Sequence, residues 1–123
     1  MYEVRIESHF SSAHQIIGYE GDCADIHGHT FKVEVAVVTD VLDKLEISID
    51  FRKLKKLLGK VIRTLDHKNL NNLPQFRSSN PSTENIAKFI YTEMKRLVKR
   101  PISIKSVRVW ESEGCSVVFY EGM

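Results

Sequence analysis

The stretch His27-Gly28-His29-Thr30-Phe31-Lys32-Val33-Glu34-Val35-Ala36-Val37 decides the architecture of this chain of 123 residues. From Phe31 to Val37, apolar side chains alternate with polar or small ones, which predicts a strand with one face in a hydrophobic core. Side chains two apart on a strand leave from the same face, so His27 and His29 can approach one ion together. The stretch therefore predicts a core strand that also carries a candidate metal site.

Strand-like and helix-like periods alternate along the rest of the chain. Asp50 and Asn80-Pro81 are start signals for helices, because Asp is a good N-cap and Pro suits the first helical position. Pro101 ends the second helix, and Gly114 marks a turn between the last two strands. The predicted elements are strands 2–10, 31–37, 102–110 and 116–120 and helices 51–65 and 81–98.

The order of these elements, two strands, two helices and two strands, has connections short enough for antiparallel neighbours. We therefore expect a single domain over residues 1–123 of the α+β class, with an antiparallel four-stranded sheet and two helices on one face. Such a sheet has open edges, which assembly with further copies of the chain could pair.

Composition and charge argue against several classes of function. Lys and Arg number 18 against 16 Asp and Glu, a net charge of +2 with both signs spread along the chain. The densest basic stretch, residues 95–100, is typical of a solvated helix end; a nucleic-acid patch is the alternative, but no aromatic platform accompanies it. Two cysteines are too few for a secreted disulfide scaffold, and no leader or transmembrane run is evident. We therefore expect a cytoplasmic protein that binds neither membrane nor nucleic acid.

A third histidine, His14, ends the segment Phe10-Ser11-Ser12-Ala13-His14 and can supply another imidazole from a neighbouring strand. Three neutral imidazoles around Zn²⁺ leave the fourth tetrahedral position open, which is the arrangement of a catalytic site. A structural zinc site would be expected to use Cys23 as a fourth ligand. The alternative is that the His-x-His pair only decorates the surface. His9 and Cys115 have no partner in the sequence and are expected to be structural.

Further candidate groups lie at the ends of the predicted elements. Asp66 and His67 close the first helix, and a carboxylate beside an imidazole can orient the ring and raise its basicity; the alternative is a local backbone bond and a helix cap. Glu111 follows an apolar strand and could accept two parallel hydrogen bonds from a guanidine-like edge, or could be an ordinary solvated glutamate. Cys23 lies in a polar loop, where a nearby metal would lower its pKa and make it a base or nucleophile, although a lone loop cysteine is more often inert.

Six motifs occur in one order along nearly the whole chain: Phe10-x-x-Ala13-His14, Cys23-x-x-x-His27-Gly28-His29, Ile49-Asp50-Phe51, Leu65-Asp66-His67, Pro81-Ser82-Thr83-Glu84-Asn85 and the Glu111 that follows a strand. Together they resemble the 6-pyruvoyltetrahydropterin synthase superfamily. The three residues between Cys23 and His27 are similar to the spacing in the bacterial 6-carboxytetrahydropterin synthase branch of queuosine biosynthesis. Cys23 also disfavours the branches that have a glutamate there. Residues 24–26 depart from the bacterial branch, which has Gly-Arg or a similar pair after the cysteine.

The resemblance implies a zinc enzyme whose ligands are His14, His27 and His29. Its substrate would be 7,8-dihydroneopterin triphosphate, converted to 6-carboxy-5,6,7,8-tetrahydropterin, acetaldehyde and triphosphate. Cys23 would act as a thiolate base, and Asp66 with His67 as the opposing acid/base relay, around a Lewis-acidic ion. Glu111 would grip the 2-amino and N3–H edge of the pterin, helped by Ser82, Thr83 and Glu84.

The resemblance also implies the tunnelling fold, in which sheets close into an oligomeric barrel, usually a homohexamer of two trimers with sites between subunits. That assembly agrees with the open sheet edges. Two alternatives stay open. One is a related lyase that makes 6-pyruvoyltetrahydropterin or cleaves dihydroneopterin like an aldolase; the other is a non-catalytic zinc- or pterin-binding module. The presence of Cys23, Asp66 and His67 beside the metal ligands argues against the module.

Overall fold

Four strands form one antiparallel sheet whose spatial order equals the chain order. The structure, a computed structural model, describes residues 1–18 and 25–122. Its strands are β1 (Tyr2–His14), β2 (His27–Thr39), β3 (Ser103–Ser112) and β4 (Cys115–Phe119). The predicted four-stranded antiparallel sheet is thus confirmed. β1 and β2 run past their predicted ranges and pair over their full lengths, which sets His14 opposite His27.

The first helix, α1 (Phe51–Ile62), follows β2 after a connection that ends in its predicted cap. The Asp50 carboxylate accepts the Arg52 N–H at 2.8 Å. The helix ends at Ile62 and not at Leu65 as predicted, because the N–H groups of Thr64 and Leu65 bond three residues back, to the Val61 and Ile62 carbonyls at 3.0 and 2.9 Å. Leu65 remains fully buried in the turn that follows, which explains why the apolar spacing extended to it.

The second helix, α2 (Thr83–Leu97), begins later than the sequence predicted. Pro81 was expected at the first helical position, but Ser82 is the N-cap, and its Oγ accepts the Asn85 N–H at 3.1 Å. Pro81 therefore precedes the helix, where its carbonyl faces the His14 ring at 2.7 Å. Because α2 begins after Pro81, the Pro81 carbonyl is available to a side chain outside the helix.

Both helices pack on one face of the sheet, as predicted, and the core fills the space between. Phe51, the first residue of α1, is 61% exposed, whereas Leu57, Phe89 and Leu97 are partly buried at the edge of the core. Alternate strand residues and the inner rows of the helices are fully or nearly fully buried: Ile6, Phe10, Phe31, Val33, Val35, Val37, Leu54, Leu58, Ile86, Ile90, Met94, Val107 and Val109.

The sheet face turned away from the helices is charged. Glu3 bonds both Arg5 and Lys105 at 2.5 Å, and Lys32 lies 3.5 Å from Glu7. Exposed pairs of this kind contribute little, because water and salt screen them, so the apolar face supplies most of the stability. Neither α1 nor α2 is long and apolar enough to cross a membrane, and no other helix in the described ranges is.

Leu58 tests which face of α1 supports the fold. Its side chain is fully buried in the core, so Leu58→Ala should lower the free energy of unfolding by about 2–5 kcal/mol through lost burial and the cavity left behind. Lys56→Ala, on the exposed face of the same helix, should change it by less than about 0.5 kcal/mol. Denaturant unfolding measures both, and equal losses would mean that the buried face of α1 is assigned incorrectly.

Candidate metal centre

Three histidines meet where the β1–β2 ladder ends. His14 is the last residue of β1, His27 is the first residue of β2 directly opposite it, and His29 lies two residues further on the same face. Their ring centroids are 4.6 to 5.5 Å apart. One ligand atom from each ring and one from Glu111 all lie within 4.8 Å of one another. The strand pairing therefore brings together the three imidazoles that the sequence singled out.

Backbone carbonyls orient two of the rings. Nδ1 of His14 lies 2.7 Å from the Pro81 carbonyl, and Nδ1 of His27 lies 2.7 Å from the Asp25 carbonyl. A carbonyl only accepts, so Nδ1 carries the hydrogen and Nε2 presents its lone pair, the arrangement found around protein-bound metals. Sequence reasoning missed Pro81 and Asp25 as partners because a backbone carbonyl leaves no side-chain motif.

Two of the nitrogens that face the centre lack hydrogen-bond partners. Nε2 of His14 and Nε2 of His29 are buried and have no hydrogen-bond partner among residues 1–18 and 25–122. Burial lowers the pKa of His29, the positive forms of His27 and His14 lower it further, and Glu111 opposes the shift. The neutral imidazole, which is the form that binds metals, is thereby favoured. A buried nitrogen without a partner is costly, and a cation that prefers imidazole, such as Zn²⁺, would satisfy both.

Glu111 lies closer to the histidines than its sequence position indicated. One carboxylate oxygen is 3.3 Å from Nε2 of His29, and the other is 3.8 Å from Nε2 of His14. The Thr83 hydroxyl donates to the second oxygen at 2.9 Å, which ties the end of β3 to the first turn of α2. The carboxylate is therefore held, not freely solvated. It is placed either to complete the ligand set or to bind a substrate beside the ion.

Asp66 and His67 form a pair in the turn after α1. Nδ1 of His67 lies 3.0 Å from Oδ1 of Asp66, which also accepts the Ser11 N–H at 2.9 Å. That N–H bond, followed by the His67 contact, lowers the pKa of Asp66, so the carboxylate is ionised at neutral pH. His67 has a φ of 56°, an uncommon left-handed conformation, and its own N–H bonds the Ser11 carbonyl at 2.6 Å. The pair is thus attached to the outer edge of β1.

One open surface cavity is bordered by His67 of this pair and by His29 of the histidine cluster. It has a volume of about 490 Å³ and is lined by residues 11–13 of β1, 28–30 of β2 and 67–69, including His29 and His67. Cys23 lies outside the described residues. Ser82 is engaged as the α2 cap, and Glu84 is exposed in the first turn of that helix. Of the predicted substrate-binding residues, Glu111 lies beside the histidine cluster, and Thr83 bonds Glu111.

Comparison with known proteins places this geometry in a family. The chain matches the family of 6-pyruvoyl tetrahydropterin synthase over residues 3–122, and it belongs to that family. The structure of Caenorhabditis elegans 6-pyruvoyl tetrahydropterin synthase superposes with a TM-score of 0.86 at 24% identity, covering 99% of this chain and 98% of that one. The family resemblance and the tunnelling-fold topology of the subunit are therefore confirmed.

Relatives with assigned names refine the class. The dihydroneopterin monophosphate aldolase of Pyrococcus furiosus is 36% identical, covering 83% of this chain and 82% of that protein. The 6-carboxy-5,6,7,8-tetrahydropterin synthase of Haemophilus influenzae is 31% identical, covering 91% and 94%. A relative from Archaeoglobus fulgidus named as a putative enzyme of the same kind is 34% identical, covering 89% and 88%. These names confirm the expectation of a lyase-type enzyme of this family.

His27→Ala tests whether the cluster is a metal site. Two imidazoles should hold an ion poorly, so we expect affinity for zinc to fall by at least the roughly 10–100-fold that loss of an outer partner alone can cause. His9→Ala, an exposed histidine of β1 outside the cluster, should leave binding unchanged. Metal analysis of the purified proteins decides, and full zinc content in the His27 variant would mean that His27 is not a ligand.

Proposed function

We propose that the protein is a zinc-dependent lyase that makes 6-carboxy-5,6,7,8-tetrahydropterin. This is the activity of the queuosine-biosynthesis branch that its motifs resemble. The reaction takes 7,8-dihydroneopterin triphosphate and water to that product, acetaldehyde and triphosphate. The observation that carries the proposal is the meeting of three imidazoles with two unpartnered buried nitrogens beside a held carboxylate. Family membership and the names of several relatives support the class of substrate.

The proposed ligands are His14, His27 and His29. When bound, zinc supplies a Lewis acid that polarises hydroxyl oxygens on the substrate side chain. The Pro81 and Asp25 carbonyls keep Nε2 of His14 and His27 aimed at the centre, so the rings need no reorganisation. Three imidazole ligands leave a position open for substrate, provided that Glu111 does not occupy it.

Cys23, Asp66 and His67 are the proposed proton-transfer groups. Cys23 as thiolate removes a proton from a side-chain carbon of the substrate. The ionised Asp66 carboxylate holds Nδ1 of His67, which leaves Nε2 as the atom that delivers a proton to the pterin ring. The side chain of His67 is 83% exposed and borders the same cavity as His29, which agrees with a group that must reach substrate.

Glu111 is the proposed anchor for the pterin, with Ser82, Thr83 and Glu84 in support. A carboxylate can accept two charge-assisted hydrogen bonds from the 2-amino and N3–H groups. The bond from Thr83 leaves Oε1 without a hydroxyl partner and fixes the orientation of the carboxylate plane. This role places the pterin ring beside the metal centre.

We also propose that the active protein is a homohexamer of two trimers with sites between subunits. Within residues 1–18 and 25–122, β4 pairs with a neighbouring strand on one side alone, and the N-terminal part of β1 does likewise. Apolar side chains near the start of β1 and of α1 are exposed, among them Tyr2 at 50%, Ile47 at 42% and Phe51 at 61%. Open edges and exposed apolar groups both favour burial against further copies.

An aldolase is the second candidate function. The relative from Pyrococcus furiosus, named for cleavage of dihydroneopterin monophosphate, is 36% identical to this chain. Such a reaction would use the same metal centre and pterin anchor, but would break the bond between the first two side-chain carbons. It would leave a hydroxymethyl pterin and a two-carbon aldehyde.

Product analysis separates these activities. The protein is incubated with 7,8-dihydroneopterin triphosphate and, separately, with the monophosphate, and the pterin and aldehyde products are identified by mass. We expect the carboxy product with acetaldehyde. A hydroxymethyl product would favour the aldolase, a pyruvoyl product would favour the related synthase, and no turnover would favour a binding module.

Cys23→Ala tests the proposed thiolate base. We expect this variant to keep zinc while losing about 100-fold or more of the rate, because a general base is removed.

Glu111→Gln distinguishes a pterin anchor from a fourth metal ligand. The change keeps the shape but sets a donor against a donor of the ligand, so pterin affinity should fall by about 100-fold, or about 3 kcal/mol. Zinc content should stay the same. Titration with sepiapterin and metal analysis measure both quantities. Equal dissociation constants would remove Glu111 from substrate binding, whereas loss of zinc would make it a ligand.

A further inference from the structure

The outer edge of β1 carries a row of contacts that continues beyond the Asp66 and His67 pair. The β1–β2 ladder ends at His14, yet the chain remains hydrogen-bonded on its other side as far as Ile17. Ser11 donates its N–H to the Asp66 carboxylate, and Ala13 donates its N–H to the Lys68 carbonyl at 2.9 Å. Every second residue from 11 to 17 is held in this way, which is the period of a strand.

At the last two of these positions the partners are asparagine side chains. Oδ1 of Asn71 accepts the Gln15 N–H at 2.8 Å, and Nδ2 of Asn71 donates to the Gln15 carbonyl at 2.9 Å. Asn80 makes the same pair of bonds with Ile17, at 2.8 and 3.1 Å. A carboxamide has the acceptor and the donor of a peptide group, so each asparagine replaces a residue of a neighbouring strand.

Each asparagine lies next to a residue that is linked to His14, either along the chain or through a hydrogen bond to its ring. Gln15, held by Asn71, is the next residue along the chain. The His14 ring bonds the carbonyl of Pro81, which directly follows Asn80. The Asn80 carbonyl in turn accepts from Nδ2 of Asn85 in α2 at 2.8 Å, which secures that segment to the helix. We call the two bonds made by each asparagine a carboxamide clamp. The Asn71 clamp holds the residue that follows His14, and Asn80 directly precedes the residue whose carbonyl holds the His14 ring.

We propose that Asn71 and Asn80 are positioning residues of the metal centre, a role that rests on the proposed function of His14 as a ligand. Their carboxamides bond the backbone past the end of the β2 pairing and hold residues 15–17, up to the turn at Ile17, in place. Without them, the backbone after His14 loses four hydrogen bonds, and the ring can leave the ligand geometry. Groups that bond a metal ligand directly typically affect metal affinity by about 10–100-fold, and we expect Asn71 and Asn80, which act one step further out, to lie at the lower end.

Cobalt binding tests the proposal without any measurement of turnover. Asn71→Ala and Asn80→Ala are compared with the exposed neighbours Asn72→Ala and Ser79→Ala. The Co²⁺ dissociation constant is measured by chelator competition. We expect it to rise about 10-fold in the Asn71 and Asn80 variants, whose visible absorption bands should also change. In the two control variants it should stay within about twofold of the wild type. If the folded Asn71 and Asn80 variants bind Co²⁺ like the wild type, the proposal is wrong. If the wild type itself binds no metal, both this proposal and the proposed function fail.

Amide hydrogen exchange of the wild-type protein gives a second test that does not depend on the variants folding. Because coupling is reciprocal, metal bound at His14 should slow exchange of the Gln15 and Ile17 amides by about 10-fold. The Arg52 amide, which is likewise held by a side chain at 2.8 Å, should change much less. Equal changes at all three amides would show a general gain in stability and overturn the positioning role.

Discussion

The register of β1 on β2 is the constraint on which the site depends. Phe10 and Phe31 are paired across the strands and stack with centroids 5.0 Å apart, and the same register sets His14 opposite His27. A slip of one residue would reverse the face of every side chain on a strand, so it would expose the apolar row and separate the imidazoles. The burial that drives folding therefore also assembles the candidate metal centre.

The site is a polar extension of an apolar row. His27 and His29 continue the face of β2 that carries Phe31 and Val33, so folding buries imidazole nitrogens beside the core. Backbone carbonyls satisfy Nδ1 of His14 and His27, but Nε2 of His14 and His29 remain without partners. A group that binds only the folded chain stabilises it, so occupation of this centre would offset the cost of burying these nitrogens. Fold stability and metal affinity are thus coupled through the same few atoms.

Local patterns in the sequence predicted most of the fold and part of the site. Alternation over residues 31–37 and the spacing of the histidines are properties of single strands, and they led to the sheet and to the meeting of the imidazoles. The position of Glu111 beside them was not predicted, because it depends on the pairing of β3 with β2 and on a bond from Thr83 in another element. The Pro81 carbonyl and the Asn80 clamp were missed for a related reason. Backbone carbonyls and carboxamides acquire partners only when distant segments pack, and no short motif encodes that.

The central claim is that three imidazoles, and no thiolate, hold the metal. X-ray absorption at the zinc edge of the loaded protein measures this directly, because zinc lies about 2.0–2.1 Å from nitrogen and about 2.3 Å from sulfur. We expect a first shell of three imidazole nitrogens with the remaining positions taken by oxygen and no sulfur. A sulfur atom in that shell would make Cys23 a ligand and the centre structural, and fewer than three imidazoles would contradict the geometry on which the proposed function is built.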